Sequence, residues 1–340
     1  MAKKRIMTAK RLKARKIRRA LWLGGVLAFT LYLGHFAENY NLSQEAAADP
    51  NLAETINQQA LTKEDLKQSE EQDLQDLSDF TVKIQTKDGG IIEQNLEEYL
   101  CGVLAAEMPA NFELEALKAQ AVAARSYAVD YLGKNDYIPA GTSAQDWLST
   151  EEQKERWGDN YPANREKIVQ AVSETANEVL LWQGVVIEAV YHSSCGGYKT
   201  AAAADVWGGY VPYLQSVECP HGEDKHSNKE SIFSREEFAD LLNAPKKGDI
   251  KITAADTSGR VLEIAVGAEK FQGSEVRSAL GLASTAFSVQ TKGEEVIITT
   301  NGSGHGVGMC QYGADYFAKK GWDYQQILAH FYQETELGEV

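Results

Sequence analysis

The feature that most restricts this chain is a charge-free run near its start. Residues 20–36, ALWLGGVLAFTLYLGHF, contain no Asp, Glu, Lys or Arg, and they follow MAKKRIMTAKRLKARKIRR, residues 1–19, with ten Lys or Arg and no acid. An apolar run of that length is at the short end of what a helix needs to span a bilayer. The basic segment holds its end in the cytoplasm, so everything after Phe36 is expected to be exported. A cleaved signal peptide is the competing reading, but no small-x-small site closely follows the run, and EAAAD at 45–49 lies far downstream. The expectation is a single-pass cell-membrane protein with its N-terminus cytoplasmic and its main domain extracytoplasmic. Beside such a segment, a nucleic-acid role for the basic tail is disfavoured.

The net charge of −15 averages over unlike parts, since the chain beyond residue 19 carries −25. Residues 38–79 hold eleven acids against Lys63 and Lys67, with no aromatic after Tyr40. That composition cannot bury a core, so 37–79 reads as an acidic flexible tether and folded structure is expected from about Phe80.

The exported part reads as α+β, with helices and antiparallel strands mixed along the chain. FTVKIQT and IIEQN flank an Asp-Gly turn and predict a hairpin. Asn95, with Glu98 three residues on, predicts a capped helix that must end near Pro109, and a second helix is expected over 112–132. A helix near 164–177 and strands EVLLW and VVIEAVYH follow. Residues 230–291 change pattern and read as an inserted α/β subdomain, leaving 80–229 and 292–340 as the main domain. The chain closes on strand EVIITT, a glycine-rich loop and two helices.

Helix phase sorts the glutamates of EEYLCGVLAAEMPANFELEALKAQAVAARSYAV. Leu100, Val103 and Glu107 share one face, whereas Glu97 and Glu98 are expected in an exposed first turn. A half-buried carboxyl at a helix C-terminus should hold its proton to higher pH, as a general acid requires. The bland alternative is a helix-end Glu paired with a base. Arg125, by the same standard, reads as a salt-bridge residue.

NGSGHGVGMCQYGADYFAKKG, 301–321, alternates Gly302, Gly304, Gly306 and Gly308 before a helix, which permits close backbone approach to a ligand. It matches no nucleotide-binding spacing, and a tight structural connection is the alternative. In YHSSCGG and ECPHGE, His192, Cys195, Cys219 and His221 could supply four zinc ligands. A Cys195–Cys219 disulfide and unlinked thiols remain the other two readings. No metalloprotease spacing is present, so a metal here would be structural. Cys101 and Cys310 read as small core residues.

With those segments in view, the sequence resembles the stage II sporulation protein D (SpoIID) family of cell-wall enzymes from endospore-forming bacteria. The resemblance rests on LAAEMPANFELEALKAQAVAARSYA, YHSSCGGYKTAAAADVWGGYVPYLQSV, ALGLASTAF and GSGHGVGMCQYGA, in that order across about 80–335. It implies a peptidoglycan lytic transglycosylase that cuts between N-acetylmuramic acid and N-acetylglucosamine in peptide-stripped strands, leaving 1,6-anhydro ends during septal wall degradation and engulfment. It implies Glu107 as catalytic acid/base and work beside the amidase SpoIIP and the membrane protein SpoIIM. Arg125, Tyr127, Ser193, Ser194, Gly304, His305, Gln311 and Tyr312 are then expected to contact glycan. No organic cofactor is expected. The sequence departs from the family pattern at Ala283, where Arg is expected, and at Cys310, where Ser is. The rivals are a non-catalytic wall-binding modifier of another hydrolase and a zinc amidase built on the His/Cys cluster.

Overall fold

The computed structural model describes residues 80–340 apart from 87, 142 and 143. The basic tail, the expected anchor and the tether lie outside the described residues. Among the described residues no helix is long and apolar enough to cross a membrane.

The expected hairpin forms from β1 (Thr81–Gln85) and β2 (Ile91–Asn95), paired antiparallel, with Gly89 at positive φ in the turn. The Asn95 side chain then accepts from the Glu97 and Glu98 backbone N–H groups and starts α1 (Leu96–Glu107). Met108 leaves the helix in an extended conformation, as a residue before proline must. Central to the molecule is α2 (Leu114–Leu132), where Ala116, Ala119, Ala121, Ala123, Ala124 and Ala128 are buried. Small side chains on several faces let neighbours close on this helix from more than one side.

After β3 (Ile138–Pro139), α3 (Thr150–Trp157) opens on a Ser149/Glu152 capping box and leads to α4 (Tyr161–Ser173). β4 (Glu178–Trp182) and β5 (Val185–Val186) form a hairpin turned by Gln183 and Gly184, both at positive φ. The expected strand VVIEAVYH is interrupted: only its end resumes as β6 (Tyr191–His192), followed by the short α5 (Ala203–Trp207).

Next come β7 (Lys229–Ser234), α6 (Arg235–Leu242), β8 (Ile250–Ala255), β9 (Val261–Val266), β10 (Glu269–Gln272), α7 (Gly273–Leu280), β11 (Phe287–Lys292) and β12 (Glu295–Thr300). They make two antiparallel sheets, ordered β11-β12-β7 and β10-β9-β8. Phe238, Val261, Ile264, Val276, Phe287, Val296 and Ile298 are among the residues of their own apolar cluster. The chain ends with β13 (Met309–Cys310), α8 (Gln311–Lys319), α9 (Tyr324–Phe331) and β14 (Glu336–Glu339), which pairs with β4. β13 lies parallel to β6, so the glycine-rich loop that precedes it runs beside Tyr191 and His192. Residues of α1, α2, α4, α8 and α9 share the larger core, each fully buried Leu, Ile or Phe contributing roughly 1.5–3 kcal/mol.

Candidate functional site

Glu107 is the last residue of α1 and is half-buried. Burial pushes its carboxyl up to about 6, the Asp146 backbone N–H pulls it back, and the Asp146 charge adds to the rise. That N–H donates to Glu107 Oε1 at 2.8 Å. The group is thus an oriented carboxyl that exchanges its proton near neutral pH, the property an acid/base residue requires.

The segment carrying Asp146 is fixed from both sides. Gly102 lies one turn and a half before Glu107, and a Cβ there would meet Trp147 Nε1 at 2.2 Å and the Leu148 carbonyl at 2.7 Å. Only glycine lets residues 147–148 lie this close to α1, where Leu148 N–H also donates to the Gly102 carbonyl at 3.2 Å. On the other side Gln145 is buried, accepts from Tyr99 Oη at 3.0 Å, and donates to Tyr191 Oη at 3.0 Å and to the Ala124 carbonyl at 3.2 Å. Neither Gln145 nor Asp146 was visible to helix phase, because both lie in an irregular stretch.

Arg125 takes the salt-bridge place its own residues suggested and not the glycan contact that the resemblance implied. It is fully buried, with Nε and Nη2 on the two carboxylate oxygens of Glu97 at 2.9 and 2.5 Å and Nη1 on the Glu178 carbonyl at 3.0 Å. The geometry is a core ion pair, not a ligand contact. Glu97 was expected at the surface and is equally buried; Glu98 pairs with Arg165. The apolar faces of α1 and α2 meet at their polar margins as well, which periodicity within one helix cannot reveal.

The other expected glycan contacts divide. Tyr127 is half-buried and stacked on Tyr131 at 5.9 Å. Ser193 Oγ bonds His226 Nε2 at 3.2 Å, and Tyr312 packs edge-on against Phe112 and His226. These keep partly open positions. Ser194 and Gln311 are buried, Ser194 Oγ accepting from Gly196 N–H and Gln311 donating to Gln120. Gly304, at φ 100°, passes over His192, where a Cβ would stand 2.8 Å from the His192 Cβ. His305 packs between His192 and Trp207, its pKa lowered to about 3 by burial first and then by His192 and Arg260. Arg260, unforeseen in the sequence, reaches this loop from the turn before β9. Its guanidinium lies against Gly306, and Nη1 donates to the Gly304 carbonyl at 3.4 Å.

The side-chain atoms of Cys195, Cys219, His221 and Cys310 lie within 4.8 Å of one another, and this cluster could hold a metal ion. All four cysteines are free thiols and no Cys195–Cys219 disulfide is formed. Hydrogen bonds from Cys219 and Cys310 pull the Cys195 thiol below its ordinary range, burial opposes them, and His192 and His221 add to the lowering. Three sulfurs and an imidazole suit a zinc ion's tetrahedral demand, so the donor set fits. His192, expected in the set, stays outside it with Nδ1 on the Val307 carbonyl at 3.0 Å. Cys310, expected as a core residue, takes its place, and its sulfur also caps α8 by accepting from Gly313 N–H.

A family model described as SpoIID, stage II sporulation protein, matches residues 85–182. Over 259 residues the chain is 37% identical to stage II sporulation protein D of Bacillus subtilis (strain 168), covering 72% of this chain and 75% of that one. It is likewise 37% identical over 259 residues to the protein of that description from Bacillus amyloliquefaciens, covering 72% and 74%. An amidase enhancer of Bacillus subtilis (strain 168) is 28% identical over 296 residues, covering 70% of this chain and 40% of that one.

Proposed function

Since this chain belongs to the SpoIID family, we propose that it is a peptidoglycan lytic transglycosylase acting in septal wall degradation and engulfment during sporulation. The observation that carries the reading is Glu107: a half-buried carboxyl, raised to about 6 and oriented by the Asp146 N–H. As the acid it protonates the oxygen leaving C1 of N-acetylmuramic acid. The resulting carboxylate then takes the proton of the muramoyl C6 hydroxyl, whose oxygen closes on C1 to give the 1,6-anhydro sugar. Because the nucleophile belongs to the substrate, no second carboxylate is needed to activate water.

Cys195, Cys219, His221 and Cys310 would hold a zinc ion of structural role, which supplies a crosslink between the 195 and 219 loops and the start of α8. Residues 20–36 anchor the chain in the cell membrane with the glycan-cutting part outside, 37–79 serve as tether, and the inserted subdomain expected at 230–291 extends to 229–300, because β12 pairs with β7 and β11 and adds Val296 and Ile298 to their apolar cluster. The amidase SpoIIP, which would strip stem peptides, and the membrane protein SpoIIM are the proposed partners.

The second reading, a non-catalytic modifier of another wall hydrolase, is favoured by the 28% identity to an amidase enhancer. Product analysis on purified sacculi separates the two. Anhydro-muramoyl ends support the transglycosylase; intact glycan with no such ends supports the modifier. Free stem peptides would support an amidase instead.

A further inference from the structure

We propose that Trp207, extended by Tyr210, is a saccharide-stacking platform that receives a pyranose ring of the glycan strand beyond the cleavage site. The inference rests on the glycan-cutting reading above and adds a binding subsite to it.

Ala204 to Tyr210 form an unbroken exposed run, with Trp207 52% and Tyr210 72% exposed and Val206 open beside them. Single exposed apolar residues are ordinary, but two large aromatics and a valine within one such run call for a ligand. The indole is not loosely held. Trp207 ends α5, Gly208 turns the chain at φ 78°, and Gly208 N–H closes on the Ala204 carbonyl. The indole packs against the His305 ring with centroids 5.3 Å apart and planes tilted by 46°, and about half its surface stays open.

The support under the indole is itself fixed. Val307 N–H donates to His305 Nδ1 at 3.1 Å, and Ala201 N–H donates to the Gly306 carbonyl at 2.8 Å, tying the α5 segment to the glycine-rich loop. That loop leads into β13 alongside Tyr191, whose hydroxyl meets Gln145, the neighbour of the residue that orients Glu107. The open aromatic face and the acid therefore belong to one hydrogen-bonded frame. A rigid, uncharged aromatic face suits a sugar ring, which presents apolar C–H groups to the ring plane and keeps its hydroxyls in water.

The test uses the full-length chain in detergent micelles, carrying Glu107→Gln so that bound glycan is not cut, titrated calorimetrically with peptide-stripped glycan strands. Adding Trp207→Ala should weaken binding at least about tenfold, while Trp207→Phe, which keeps a stacking face, should stay within about threefold of the parent. Equal binding by the Ala variant with an unchanged melting temperature would overturn the platform and leave the glycan reading standing. Failure of the parent Glu107→Gln chain to bind glycan at all would overturn both. Loss of binding that Phe does not restore would also count against stacking.

Discussion

The carboxylate oxygen Oε1 of Glu107 accepts the backbone N–H of Asp146 at 2.8 Å, so the acid at the end of α1 is aimed by a chain segment that lies against its own helix. That segment can lie there because residue 102 is glycine and because Gln145 is tied to Tyr99, Ala124 and Tyr191. The orientation of Glu107 thus depends on Gly102, Gln145 and Asp146, which lie on two different segments.

Gly102→Ala should displace the Trp147 indole, since the added Cβ would fall 2.2 Å from Nε1, and with it the Asp146 N–H. Glycan cleavage should drop by roughly tenfold or more, with glycan affinity less affected, because a small misplacement of a catalytic group is costly. Unchanged kcat in a folded Gly102→Ala variant would show that the contact does not position the acid.

Glu107 also leaves a mark on stability. Its folded pKa of about 6 lies above the ordinary value of 4.5, so the stability it contributes is fully present below pH 4.5 and is lost as pH rises through 6. Glu107→Gln cannot ionise, so its stability relative to wild type should improve by about 2 kcal/mol between pH 4 and pH 7.5. Urea denaturation at the two pH values measures this difference, and parallel pH dependence of the two proteins would contradict it.

Removing Arg125 alone should destabilise the fold by about 3–5 kcal/mol, because the Glu97 carboxylate would be left buried without its partner. The paired change Glu97→Gln with Arg125→Met should restore part of that loss in a denaturation assay. A folded Arg125→Ala protein of normal stability and weakened glycan binding would instead return Arg125 to the groove.

For the metal, Cys310→Ser should lower zinc content and melting temperature together, whereas His192→Ala should leave zinc content near that of the parent. Metal analysis of protein purified under reducing, chelator-free conditions decides. Full zinc content in Cys310→Ser with loss in His192→Ala would reinstate the ligand set that loop spacing suggested.

The parts of this fold that could be read from the sequence are those governed by local chemistry. The Asp88-Gly89 hairpin, the Asn95 cap and the strands at 178–182 and 295–300 all stand where local pattern put them. Helix phase likewise placed Glu107 on the inward side of α1. It misplaced Glu97, because the burial of that carboxyl depends on Arg125 from another helix. Strand 250–255 was missed since its alternation, Ile250 to Thr253, is short and runs into Ala254-Ala255, and its side chains are largely exposed. Cys310 and Arg260 were missed for a different reason: each acquires its neighbours only when distant loops converge, and nothing in the adjoining residues announces it.

The central claim is that one carboxyl does both proton transfers, and the most direct measurement is the yield of 1,6-anhydro-muramoyl ends from peptide-stripped glycan incubated with wild type and with Glu107→Gln. The account predicts abundant anhydro ends from wild type and at least about a hundredfold fewer from the variant, with glycan binding retained. Near-normal anhydro production by Glu107→Gln, or reducing ends from wild type in place of anhydro ends, would contradict it.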